Sequence, residues 1–102
     1  MSNMKTFADR LREDRRLVLL RLLSEQNGYR SNSSILHSGL HALGVAATRD
    51  DVATDLSWLA EQSLVRLSET VPGVLVAELA ARGHDVVTGQ AVVPGVSRPS
   101  PQ

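Results

Sequence analysis

The chain has 102 residues, 42% hydrophobic and 22% charged, with 11 bases against 11 acids: room for one modest core in an ordinary globular protein. There is no cysteine, which excludes disulfides, zinc–thiolate sites and thiol nucleophiles and makes a cytoplasmic setting the expectation. No apolar run approaches the roughly 20 residues a membrane span needs, and the charged stretch Met1–Arg16 lacks a signal-peptide apolar segment, so no membrane partner is expected.

Charge is unevenly placed. Residues 1–30 hold seven bases and four acids, a balance of +3, while the remainder holds four arginines and seven acids, a balance of −3. Only Phe7, Tyr29 and Trp58 are aromatic, so Leu, Val and Ala must fill the core.

A first helix is predicted from about Thr6 to Gln26. Leu11, Val18, Leu19, Leu22 and Leu23 recur at helical spacing, and the dense run Leu17–Leu23 marks a central helix buried on more than one side. Asn27-Gly28 ends it, because both residues tolerate the left-handed conformation of a helix stop. Ser31, Asn32 and Ser33 offer caps for a second helix over about 34–43, with Ile35, Leu36, Leu40 and Leu43 expected inside. The connector Val45-Ala46-Ala47 is placed to lend one extended residue to a small sheet.

Thr48 caps a third helix that runs to about Ser63, with Asp50 and Asp51 at the positive end of its dipole. Its inner stripe is Val52, Leu56, Leu59 and Ala60; Arg49, Asp50, Thr54, Ser57 and Glu61 lie opposite. The period then changes. Residues 64–70 and 74–79 read as two strands joined by the turn Val71-Pro72-Gly73, making a β-hairpin. A short helix follows over about 80–88. Division into a domain at 1–88 and a Pro/Gly-containing tail at 89–102 is expected, with Val92-Val93 able to dock on the domain or on a partner.

The order helix, helix, helix, hairpin, short helix predicts a mainly α domain with a three-helix core and a two-stranded wing. The stretch Asp55-Leu56-Ser57-Trp58-Leu59-Ala60-Glu61-Gln62-Ser63-Leu64-Val65-Arg66-Leu67 resembles the recognition helix and first wing strand of winged helix-turn-helix proteins, with Ser63 where that pattern usually has Gly. More narrowly, Gly28-Tyr29-Arg30, Asn32-Ser33, Trp58-Leu59-Ala60-Glu61-Gln62 and Val92-Val93-Pro94-Gly95-Val96 resemble the small ArsR-like proteins of Mu-like phages and prophages. That resemblance implies a DNA-binding or regulatory role. The cysteine motif of metal-sensing ArsR repressors is absent, so thiolate-based metal sensing is excluded.

On such a fold the third helix enters the major groove and the wing reaches flanking phosphates. Arg49, Thr54, Ser57 and Arg66 are the residues expected at DNA. The acids Asp50, Asp51, Asp55 and Glu61 argue against it, since phosphate neutralisation supplies much of such affinity. Other side chains favour plainer roles. The cluster Arg10, Arg12, Arg15 and Arg16 reads as a solvated face paired with nearby acids. His37 and His41 have a metal-ligand spacing but no third ligand, and read as surface histidines. Trp58 reads as a core-edge residue.

No phosphate loop, Gly-x-Ser-x-Gly elbow or acid pair points to catalysis, and no cofactor is expected. Expected partners are DNA and a second copy of the chain, the long first helix and Val86, Val87, Val92 and Val93 forming the dimer surface. The rival expectation is a protein-interaction module that binds no DNA, favoured by the acidic third helix and the zero net charge.

Overall fold

The computed structural model describes residues 4–100. Helix α1 runs over Phe7–Ser24, a 3₁₀ turn over Asn27–Tyr29, strand β1 over Arg30–Asn32, α2 over Ser33–Ala42, α3 over Arg49–Glu61, β2 over Val65–Val71, β3 over Val74–Leu79 and α4 over Ala81–Val87. The strands form one antiparallel sheet in the order β1-β3-β2. This is the winged-helix architecture: three helices meet around one core, and the β2–β3 hairpin is the wing.

The helix starts are built locally. Thr6 and Thr48 each accept a hydrogen bond from the backbone N–H three residues on, while Asp9 and Asp51 reach back to the cap residue's own N–H. Each reciprocal box satisfies two of the donors that a helix start leaves unpaired. Asn32 caps α2 by accepting from Ile35 N–H at 2.8 Å.

Leu17, Leu19, Leu20 and Leu23 of α1 are buried, as the dense leucine run requires, together with Leu36 and Leu40 of α2 and Val52, Leu56 and Leu59 of α3. Three expected core residues lie outside: Leu11, Ile35 and Leu43 are 50%, 56% and 61% exposed. Leu11 sits on the first turns of α1, ahead of the first buried residue of that helix, Leu17, and so has no core to reach. Ile35 and Leu43 fall at the two ends of α2, beyond the short stretch that faces its neighbours.

The third strand is Arg30–Asn32, where the connector Val45-Ala46-Ala47 was expected to contribute. The reason lies in the turn before it. Gly28 and Tyr29 both take positive φ, 71° and 58°, and redirect the chain into an extended segment alongside β3. In the wing, Ser68 pairs with Val76 and Val71 with Val74, so two β2 residues oppose one β3 residue. That is a β-bulge. Pro72-Gly73 closes the turn with Gly73 at φ 83°, and Glu69 accepts the Gly73 N–H at 2.7 Å.

Helix α4 lies so close to the start of the wing that a Cβ on Gly83 would fall 2.2 Å from the Leu64 carbonyl oxygen. The following segment returns along α1 and places Val93 and Val96 in the core, with Val92 outward. Val86 and Val93, expected at a dimer surface, are therefore interior residues, and of the four valines named for it only Val92 is broadly exposed.

Candidate nucleic-acid interface

The outer face of α3 is set by its period. With Val52, Asp55, Leu56 and Leu59 turned inward, Arg49, Asp50, Thr54, Ser57 and Glu61 are left exposed and Ala53 half-exposed. Arg49 Nη1 donates to the Ser34 hydroxyl at 3.3 Å, which links the start of α3 to the start of α2. Three of the four expected contact residues, Arg49, Thr54 and Ser57, thus share one helix face.

Arg66 stands apart from them. Val65, Ala77 and Leu79 point to the core, so Arg66 and its cross-strand partner Glu78 point away from it. Their side chains pair at 3.4 Å, and Arg30 stands opposite Glu78 on the other side, giving a row of alternating charge across the sheet. Residues 68–74 at the wing tip include no Lys or Arg.

The acids of α3 are not equivalent. Asp55 is fully buried between Arg15, whose Nε donates to Oδ2 at 2.5 Å, and Arg16, whose Nε donates to Oδ1 at 3.3 Å. Asp51 is committed to the Thr48 cap and lies 3.8 Å from Arg15. The Thr48 backbone N–H holds the Asp51 carboxyl below its ordinary value of 3.8, helped by the Thr48 hydroxyl and by Arg15 and Arg12, against the opposite pull of burial. Only Asp50 and Glu61 remain as exposed acids, one near each end of the face. Between them the surface is Ala53, Thr54 and Ser57, small and uncharged. A sequence count of four repelling carboxylates overstates the negative charge, because Asp55 is enclosed by two arginines distant in the chain and Asp51, still ionised, is turned to the Thr48 cap with Arg15 nearby.

The same arrangement corrects the reading of the α1 arginines. Arg12 does pair with Asp9 in the same helix at 3.2 Å, and Lys5 with Glu13 at 2.9 Å. Arg15 and Arg16 instead turn inward to Asp55, some 40 residues away in sequence. The Arg16 guanidinium also lies 3.9 Å from the centre of the Trp58 ring and donates to the Gly95 carbonyl at 3.0 Å. Trp58 is half-buried, a core-edge residue as expected, held by a cation on its face. His37 is not a surface histidine. It is half-buried, with Nε2 2.9 Å from the Ala47 carbonyl, and ties α2 to the connector before α3; His41 is exposed.

The inward role of Asp55 was not legible in the sequence. One signal existed: Asp55 occupies the inner stripe, three residues after Val52 and four before Leu59, where an acid must find a cationic partner.

No family model matches the sequence. The chain is 48% identical over 94 residues to protein gp26 of Escherichia phage Mu, covering 92% of this chain and 96% of that protein. It is 43% identical over 77 residues to a protein of Haemophilus influenzae, covering 76% and 74% of the two. Among solved structures it is similar to RosR of H. salinarum, with TM-score 0.63 and 19% identity over 72% of this chain and 66% of that one. The complex of hsRosR-S1 gives TM-score 0.61 over 72% and 63%. The chain thus spans somewhat under two thirds of the RosR chain, and at this identity the likeness concerns the fold, which is that of a winged helix. On the strength of the Mu relative, whose length it shares almost entirely, the chain belongs to the same family as gp26 of Escherichia phage Mu.

Proposed function

We propose that this protein is a winged-helix DNA-binding regulator of ArsR-like type, acting in a phage or prophage setting as a dimer and reading DNA with the outer face of α3. The observation that supports this most is the small, uncharged surface Ala53-Thr54-Ser57, headed by Arg49, with Asp55 buried against Arg15 and Arg16 and Asp51 held in the Thr48 cap. Arg49 supplies a phosphate or guanine contact, and Thr54 and Ser57 donate to phosphate oxygens. Arg66 adds a flanking contact from the sheet, weakened by its pairing with Glu78.

The test is a salt titration of binding to random-sequence duplex DNA. Measurable affinity at low salt is expected, falling linearly in log–log form. Arg49→Ala should reduce the slope by about 1, the loss of a single phosphate contact. Absence of binding at low salt refutes the reading.

A second reading, a protein-interaction module, is favoured by the wing. Its tip has no base, carries Glu69, and exposes 59% of Val71. In that case no DNA is bound under any salt condition, and the wing is the contact surface.

A further inference from the structure

Trp58 stands at the border of the outer face of α3, and its ring is pinned. The Arg16 guanidinium lies 3.9 Å from the ring centre. The Cζ2–Cη2 edge lies against Gly95, where a Cβ would fall 2.6 Å and 2.7 Å from those two atoms. Arg16 is itself fixed, since it donates to Asp55 and to the Gly95 carbonyl. The indole is therefore held in one pose, and the rotamer freedom that a contact would remove is already lost in the free protein.

The polar end of that ring is left open. Among the described residues no acceptor meets the Trp58 Nε1–H, and no buried side-chain nitrogen lacks a partner, so Nε1 reaches solvent. A half-buried indole with a wet N–H suits an interface, because the donor finds its acceptor in the complex. Trp58 shares one shallow recess with Ala53, Thr54, Ser57 and Glu61, and Glu61 is the one acid lining it. The ring thus borders the outer face on the side of α1, as Arg49, bonded to Ser34, borders it on the side of α2. The two donors lie about 13 Å apart along the helix axis at 1.5 Å per residue. That compares with the roughly 12 Å width of a major groove.

We propose that Trp58 is a further DNA-positioning residue, its Nε1–H donating to a phosphate oxygen of the backbone opposite the one that Arg49 meets. This rests on the reading of α3 as the helix that enters the groove. A neutral donor orients the helix and adds affinity without displacing a counterion, whereas Arg49 does displace one. The two residues therefore differ in what salt does to their contributions.

The experiment titrates random-sequence duplex DNA into wild type, Arg49→Ala and Trp58→Phe across a salt series. Phe keeps an aromatic face for Arg16 and has no N–H. Trp58→Phe should weaken binding about tenfold at every salt concentration, the loss of one hydrogen bond to a charged acceptor. Its log–log slope should equal that of wild type, while Arg49→Ala lowers the slope by about 1. In wild type, DNA should also shield Trp58, the single tryptophan, from acrylamide quenching. If wild type and Arg49→Ala behave as stated, but Trp58→Phe retains full affinity or DNA leaves Trp58 as open to acrylamide as before, the Trp58 contact is overturned and the reading of α3 stands. A lowered slope for Trp58→Phe overturns it too, because the change then acts through the neighbouring arginines. Absence of wild-type binding at low salt overturns both. Should thermal unfolding show Trp58→Phe destabilised, Trp58→benzothienylalanine, which keeps the ring shape with sulfur in place of N–H, takes its place. The same tenfold loss at unchanged slope supports the contact, and full affinity overturns it.

Discussion

Replacing Asp55 by Ala is the most informative single perturbation of this fold. The Asp55 side chain is 1% exposed, and those of Arg15 and Arg16 are 14% and 12% exposed. Removing the carboxylate leaves two nearly buried guanidinium groups without their shared acceptor. Breaking a buried pair in this way costs about 3–5 kcal/mol, most of it the penalty of an uncompensated charge. Two features place this site at the lower end of that range. Asp51 lies 3.8 Å from Arg15 and can take part of its charge. Arg16 keeps the Gly95 carbonyl and the Trp58 ring. A loss of about 3 kcal/mol lowers Tm by roughly 12–24 °C for a domain of about 100 residues. Urea unfolding followed by far-ultraviolet circular dichroism measures it without relying on Trp58, whose emission the change disturbs directly. Asp55→Asn, which retains one acceptor oxygen, should fall between wild type and Ala. A loss below about 1 kcal/mol for Asp55→Ala would refute the reasoning, since it would mean that both arginines regain water freely and that the carboxylate does not fix α1 against α3.

Further outcomes follow from other sites. Ser63 holds φ 62° without being glycine, and Ser63→Gly should stabilise the domain by about 0.5–1 kcal/mol in the same urea assay, the relief of left-handed strain outweighing the added freedom of the unfolded chain. Asp51 has its pKa depressed below 3.8 in the folded state, so its contribution is fully present above that value and is lost as pH falls through 3.8 toward the folded value. Asp51→Asn should therefore lower stability at pH 6 and flatten the acid limb of the stability profile measured by thermal unfolding. Glu61→Lys reverses one of the two exposed acids on α3. If that face meets phosphate, non-specific DNA affinity rises and the log–log salt slope steepens by about 1; an unchanged slope places the helix away from the duplex.

Much of the fold is readable because its signals are local. Thr48, followed by Asp51 three residues on, announces a helix start in any context, and Pro72-Gly73 between two apolar runs announces a turn. The Ser63 position, where the related pattern has Gly, also carries its meaning in the sequence: the residue adopts the positive φ that glycine would supply. What stayed hidden depends on partners far away in the chain. Strand β1 has three residues and no alternation to detect, and it exists because Gly28 and Tyr29 swing the chain toward β3. The charge of the candidate interface is the clearest case. Asp55 looks like a repelling carboxylate until Arg15 and Arg16 of α1 are seen to enclose it, and no spacing rule links residues separated by about 40 positions. Arg49, Thr54 and Ser57 share a face because helical period alone puts them there; Arg66 sits elsewhere because the strand's alternation follows a separate rule.

The bulge opposite Leu75 also bears on how these molecules behave in a crowded solution. Strand β2 is the outer strand of the sheet on the wing side, and a straight outer strand offers unpaired amides and carbonyls that invite another chain to add on. The extra residue between Ser68 and Val71 twists that border out of line, and the opposite border, Arg30–Asn32, is only three residues long. Neither border presents a template long and flat enough for edge-to-edge polymerisation, which lets the wing project from the domain without seeding fibres.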